Sequence, residues 1–132
     1  AALLLGVDVA SLATTEAMAD AATALRATGA SCVVVKGGHL LDDGAALRAP
    51  DVVVNAEGTA TLDGPRIATR NDHGTGCSLA AAIAVGLAEG LDAFDALVRA
   101  PAFVADALAG SCSWELGAGH GPIDHLGWGA DT

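Results

Sequence analysis

Tyrosine is absent and aromatic residues make up only 3% of the chain, so no core built on stacked rings is available. Cations are also scarce: six Lys plus Arg stand against sixteen Asp plus Glu, for a net charge of −10 and a pI near 4.4. A binder of nucleic acid or of an anionic membrane needs a basic face, and six scattered cations cannot supply one. Cysteine is limited to Cys32, Cys77 and Cys112, an odd number without CxxC spacing. That argues against a disulfide framework or a structural zinc site, and for a reduced, cytoplasmic setting. No apolar run approaches the roughly 20 residues that span a bilayer. The opening Ala1–Gly6 has no basic flank, so it does not read as a signal peptide. The GxxxxGK[ST], HExxH and GxSxG patterns are missing too.

What the chain has instead is alanine, 31 of its 132 residues, behind a hydrophobic fraction of 52%. Alanine buries little area, so the core must rest on Leu, Ile and Val together with close backbone packing. At about 150 residues per domain, the length corresponds to one domain or part of one. Ala1–Leu5 reads as the last turns of a helix closed by Gly6. A helix is expected over Thr15–Thr28, capped by Thr14 or Thr15 and closed at Gly29. Ser31–Lys36 is a continuous apolar run, the pattern of a strand covered on both faces in a parallel, layered sheet. Asp51–Asn55, Gly58–Leu62 and Arg66–Thr69 are further strand candidates, with turns at Glu57-Gly58 and Asp63-Gly64. Thr75–Glu89 is apolar nearly all round and is expected to be a buried helix ending at Gly90. The last helix runs from a cap at Asp92 to Ala109, kinked or split by Pro101. From Gly117 the tail is glycine-dense and is expected to be irregular and flexible.

Three stretches could carry chemistry. In His73-Gly-Thr-Gly-Cys-Ser-Leu79 a glycine-rich turn feeds directly into the apolar helix, so free backbone N–H groups converge on one point and form a ready anion site. Gly74 and Gly76 permit the turn and a close approach of an oxyanion, and Cys77 lies in the first turn, where a thiolate is favoured. The plainer alternative is a glycine-rich helix start with an ordinary buried cysteine. In Val33-Val-Val-Lys36-Gly-Gly-His39, the single lysine of the chain stands at the carboxyl end of a strand, where open α/β sheets bind ligands. Lys36 is either a point charge for a polyphosphate or a solvated surface group. In Gly117-Ala-Gly-His-Gly-Pro-Ile-Asp-His125, the spacing is not that of the dinucleotide fingerprint, and His120, Asp124 and His125 make a poor metal set. No metal site is expected from them. A thiol hydrolase using Cys77 with His73 is a further alternative from another enzyme class.

Taken together, VVVKGGH (Val33–His39), RIATRNDHGTGCSLAAAIA (Arg66–Ala84) and GAGHGPIDH (Gly117–His125) resemble the hydroxymethylpyrimidine/phosphomethylpyrimidine kinases of thiamine biosynthesis, in the ribokinase-like superfamily. The resemblance implies an α/β fold, a ribokinase-like αβα layered sheet, of which residues 1–132 would be the C-terminal half of a single kinase domain. It implies ATP and Mg²⁺ as cofactors, a small-molecule pyrimidine as substrate, and a homodimer when the protein is full length. Carried over by position, Gly74, Thr75, Gly76 and Cys77 would form the anion hole, with Cys77 as the catalytic base. Lys36, Gly38, Thr69 and His73 would bind ATP, and the apolar faces of the last two helices would border the nucleotide. Asp72 stands where Thr is usual in the family, and Pro101 interrupts a helix normally unbroken. An NxxE motif and most of the pyrimidine pocket belong to an N-terminal half not found here, so the chain alone is expected to lack full activity and to associate through its uncovered sheet edge. The related pyridoxal kinases that carry the same cysteine, or a fragment that binds nucleotide without turnover, are the competing readings.

Overall fold

The computed structural model describes residues 1–37 and 48–131. They form two compact units, Ala1–Arg66 and Ile67–Thr132, each taken in turn.

The first unit begins with a single helical turn, α1 (Ala2–Leu5), closed by Gly6 as its sequence implies. After a 3₁₀ turn at Val9–Leu12, α2 (Thr15–Arg26) starts where Thr14 Oγ1 accepts the Ala17 N–H, a cap worth about 1 kcal/mol. Met18, Ala21, Ala22 and Leu25 recur at helical spacing. Met18 and Ala22 pack on Val35, Val52 and Val54 of the sheet, with Leu25 at the margin.

That sheet holds β1 (Val33–Val35), β2 (Arg48–Val54) and β3 (Thr59–Pro65) in the order β1-β2-β3. Both pairings are antiparallel, Val33 opposite Val54 and Arg48 opposite Pro65, which corrects the parallel arrangement expected of this region. For β2 and β3 the cause is local. Asn55 Oδ1 accepts the N–H groups of Glu57 and Gly58, and Asn55 N–H reaches Gly58 O, so the chain reverses at once and no crossover is possible.

β1 is shorter than Ser31–Lys36, and only Val35 of its three residues is buried, because one face lies under α2 and the strand pairs only with β2 among the described residues. Asp63-Gly64 is not a turn; both residues lie within β3, where Arg48 pairs with the Asp63 carboxylate. β3 alternates exposed and half-buried residues and ends at Pro65, which has no N–H for a ladder, so Arg66–Thr69 forms no strand.

The second unit is an α-hairpin with a long tail. Its helices are α3 (Thr75–Ala88) and α4 (Ala93–Gly110), the latter capped by Asp92 Oδ1 on the Asp95 N–H. Leu79 of α3 packs against Ala100 and Val104 of α4. At Gly86 a Cβ would lie 3.1 Å from that of Ala96, so the small residues let the helices approach closely. Pro101 does not split α4: the helix is continuous to Gly110, its buried stripe of Leu97, Ala100, Val104 and Ala107 holding both sides of the proline. The expectation of a buried α3 is corrected, since only Ser78, Leu79 and Gly86 are buried and Val85 and Leu87 are exposed. Within the described residues α3 has one helical partner, and its uniformly apolar composition leaves the remaining faces open. No helix among the described residues is long and apolar enough to cross a membrane.

Met18 is 1% exposed at the centre of the first unit's core. Met18→Ala should lower the unfolding free energy by about 2–5 kcal/mol, read from a denaturant melt of that unit.

Candidate active site

The loop before α3 has few side chains able to hold it, and its order comes from neighbours in the same unit. Thr69 Oγ1 accepts the Asn71 N–H at 3.0 Å. The buried Asn71 amide donates to Ser111 O at 2.5 Å and Trp114 O at 2.9 Å, latching the loop to the end of α4. The tail crosses beside it: His73 N–H donates to Gly121 O and Gly121 N–H to Arg70 O, each at 3.1 Å, with His73 bridged in parallel to Pro122. Position 121 must be glycine, because a Cβ there would overlap Asn71 Oδ1. A carboxylate–imidazole contact, Asp72 to His120 Nδ1 at 2.7 Å, closes the strap from outside.

Gly74, at φ 96°, then turns the chain into α3, a conformation costly for any residue with a Cβ. No side chain caps this helix. Thr75 N–H leans on Asp72 O at 3.4 Å, while Ser78 N–H closes the first turn on Gly74 O at 2.9 Å. The N–H groups of Gly76 and Cys77 have no acceptor among the described residues. Two unsatisfied donors at the positive end of a 14-residue helix can receive an anion. Thus Gly74 makes the turn, and Gly76 and Cys77 present the donors. Cys77 is exposed, which removes the plainer expectation of a buried cysteine.

Below this point a groove of about 530 Å³ runs between the helices, walled by Cys77, Ala81 and Val85 of α3 and by Ala100 and Phe103 of α4. Arg99 borders it while held by Glu89, and His125 enters from the tail. His125 Nε2 lies 2.6 Å from Ser78 Oγ, its ring near Phe103. Ser78, Asn71 and the groove residues Val85 and Phe103 were not legible as site residues; the polar spacer RND ahead of HGTGCS was the only hint of a latched loop.

The other expected residues are placed as follows. Thr69 and His73 belong to this loop, Thr69 as an acceptor within it and His73 by its backbone. No hydrogen bond joins His73 to the Cys77 thiol among the described residues, so the geometry offers no His73–Cys77 dyad. Lys36, in the first unit, forms an ion pair with Asp51 at 3.1 Å, and Asp51 also accepts the Gly37 N–H. Gly38, expected to bind ATP, and its neighbour His39 lie outside the described residues. No group of three or more His, Cys, Asp or Glu among the described residues is arranged to hold a metal ion. Mg²⁺ that accompanies a nucleotide draws most of its ligands from phosphate oxygens and water, so no step is assigned to it.

The tail is better anchored than its glycine content implies, which corrects the flexible segment expected there. Ile123 and Asp124 are buried, and Asp124 N–H donates to Ala107 O at 2.9 Å. Burial pushes the Asp124 carboxyl up, but the backbone N–H groups of Gly129, Leu126, Trp128 and Gly127 outweigh it and hold the group below its ordinary value.

An exposed helix start with two free N–H groups, beside a thiol and over an apolar groove, is the candidate site of this α/β chain. The comparisons narrow it. A sequence model of the phosphomethylpyrimidine kinase family matches residues 1–124, and the chain belongs to that family. It is 43% identical over 109 residues to the hydroxymethylpyrimidine/phosphomethylpyrimidine kinase of Rhizobium meliloti, covering 83% of this chain and 40% of the relative. Its fold matches the ADP complex of Bacillus subtilis pyridoxal kinase with a TM-score of 0.82 and 33% identity, over 94% of this chain and 44% of that one. Staphylococcus aureus pyridoxal kinase, in complex with AMP-PCP and pyridoxal, matches with a TM-score of 0.79 and 32% identity, over 89% and 42%. The fold is ribokinase-like α/β. The chain spans 37–43% of the length of the single-function curated kinases it matches.

Since the native Asp124 carboxyl is held low, its contribution to stability is complete above the ordinary carboxylate range and is lost as pH falls through the lowered value. Asp124→Asn should flatten that acid dependence, followed by the fluorescence of Trp128, whose backbone the carboxylate holds.

Proposed function

We propose that these residues are the C-terminal part of a single ribokinase-like kinase domain that phosphorylates 4-amino-5-hydroxymethyl-2-methylpyrimidine, and then its monophosphate, in thiamine biosynthesis. The observation that carries the reading is the pair of acceptor-free N–H groups at Gly76 and Cys77, next to an exposed thiol and over an apolar groove.

ATP fits this arrangement. Its transferring phosphoryl would sit on the Gly74–Cys77 turn, and the groove walls at Ala81, Val85 and Phe103 suit a purine base. Thr69 and His73 would border the phosphates through the loop they belong to, and Lys36 and Gly38 are the further ATP-binding residues that the family resemblance implies. The acceptor hydroxyl oxygen forms its bond to the γ-phosphorus as the bond to the β–γ bridging oxygen breaks and ADP departs. The hydroxyl proton passes to the Cys77 sulfur, and the free N–H groups stabilise the charge on the phosphoryl oxygens. The whole protein would act in the cytoplasm as a homodimer, with Mg²⁺ accompanying ATP. It would bind neither nucleic acid nor a membrane.

A second reading, pyridoxal as acceptor, draws on the pyridoxal kinases among the structural relatives. The protein as its own cells make it should have a mass near twice 12.9 kDa or above, and a product of 12.9 kDa would overturn the half-domain assignment. In that protein, turnover of the hydroxymethylpyrimidine with ATP should exceed turnover of pyridoxal, and the reverse order would move the assignment to pyridoxal kinase. ATP binding without transfer to either acceptor would leave only a nucleotide-binding protein. Cys77→Ala should lower kcat by about 10²–10⁴-fold with ATP binding retained, measured by steady-state kinetics and ATP titration.

A further inference from the structure

The start of α3 is held by few contacts of its own. Gly74 and Gly76 flank its first residue, and no side chain caps it. Glycines at such a point carry the largest loss of backbone freedom on ordering, so donors aimed at a transferring phosphoryl need an outside support. Asp72–His120 and the His73–Gly121 bond hold the loop before the turn. Beyond the turn, among the described residues, one side-chain hydrogen bond reaches α3 from the tail: Ser78 Oγ to His125 Nε2 at 2.6 Å.

Ser78 follows Cys77 directly, is buried, and sends its own N–H to Gly74 O, the bond that closes the first helical turn. The tail does not depend on His125 for its own anchorage, since Ile123 is buried and Asp124 is bonded to Ala107 O and to the N–H groups of Leu126 and Gly129. His125 lines the same groove as Cys77.

We propose that His125 is a positioning residue which, through Ser78, fixes the first turn of α3 and so aims the Gly76 and Cys77 N–H groups and the Cys77 thiol. The bond forms whichever of the two partners donates. The inference rests on the kinase reading for its effect on rate, but the positioning itself is measurable without turnover.

The test compares His125→Ala, His125→Gln and Ser78→Ala in the protein as its cells make it. Gln places an amide near the position of Nε2 and can renew the bond to Ser78. His125→Ala and Ser78→Ala should each lower kcat by about tenfold or more, with little change in the KM for ATP, and His125→Gln should restore most of the loss. Amide exchange by NMR should show the Ser78 N–H losing protection in His125→Ala while the Asp124 N–H, bonded to Ala107 O, keeps it. Unchanged kcat and unchanged Ser78 protection in His125→Ala would overturn the proposal. So would a His125→Gln variant as impaired as the alanine variant, or equal loss of protection at Asp124, which would make His125 a tail anchor only. If the wild-type protein transfers no phosphoryl group, the kinase reading fails, and selective loss of protection at Ser78 still supports the positioning role.

Discussion

Two backbone N–H groups left without acceptors at the start of a helix set the requirements for the rest of the second unit. A helix start of this kind attracts an anion only while its donors are aimed together, and Gly74 and Gly76 leave the aim to other residues. The buried Asn71 amide ties the loop to the end of α4, Gly121 gives way so that this amide can sit there, and the tail contributes its backbone to His73. Asp124 in turn fastens the tail to α4 and to its own next turn. Removing any one of these contacts acts on the anion point at a distance, by letting the backbone relax rather than by removing a donor.

Alanine abundance serves the same end. A helix pair made of large side chains would separate the axes, whereas Gly86 against Ala96 brings α3 and α4 close at the far end. Along the face nearer Cys77, Ala81 and Ala100 leave the space that Val85 and Phe103 line, so small residues produce both the tight crossing and the groove. In the first unit the same economy appears as Ala22 packed beside Met18 on three valines of the sheet. Each unit therefore has a small apolar core, and α3 keeps Val85 and Leu87 exposed.

Local signals were legible in the sequence wherever the physics is local. Thr14 and Asp92 cap the helices they were expected to cap, Gly6 closes α1, and the Glu57-Gly58 turn forms a hairpin. The HGTGC turn and its free donors also followed from spacing, because glycines before an apolar helix leave few other geometries. Strand direction was not legible, because the run Ser31–Lys36 carries no mark of which partner it will meet; β2 supplied an antiparallel one. The burial of α3 is not legible because a composition apolar nearly all round gives no face to count. The order of the tail is not legible because it comes from hydrogen bonds between residues about forty to fifty positions apart, such as Asp72 to His120 and Ser78 to His125, for which sequence spacing gives no signal.

Phosphate binding at the start of α3 is tested most directly by an amide NMR titration of the natural protein with ATP. Saturable shifts are expected at the N–H groups of Gly76 and Cys77, with smaller changes at Ala81 and Val85 along the groove. ATP that binds while leaving Gly76 and Cys77 unmoved, or that does not bind at all, would contradict it.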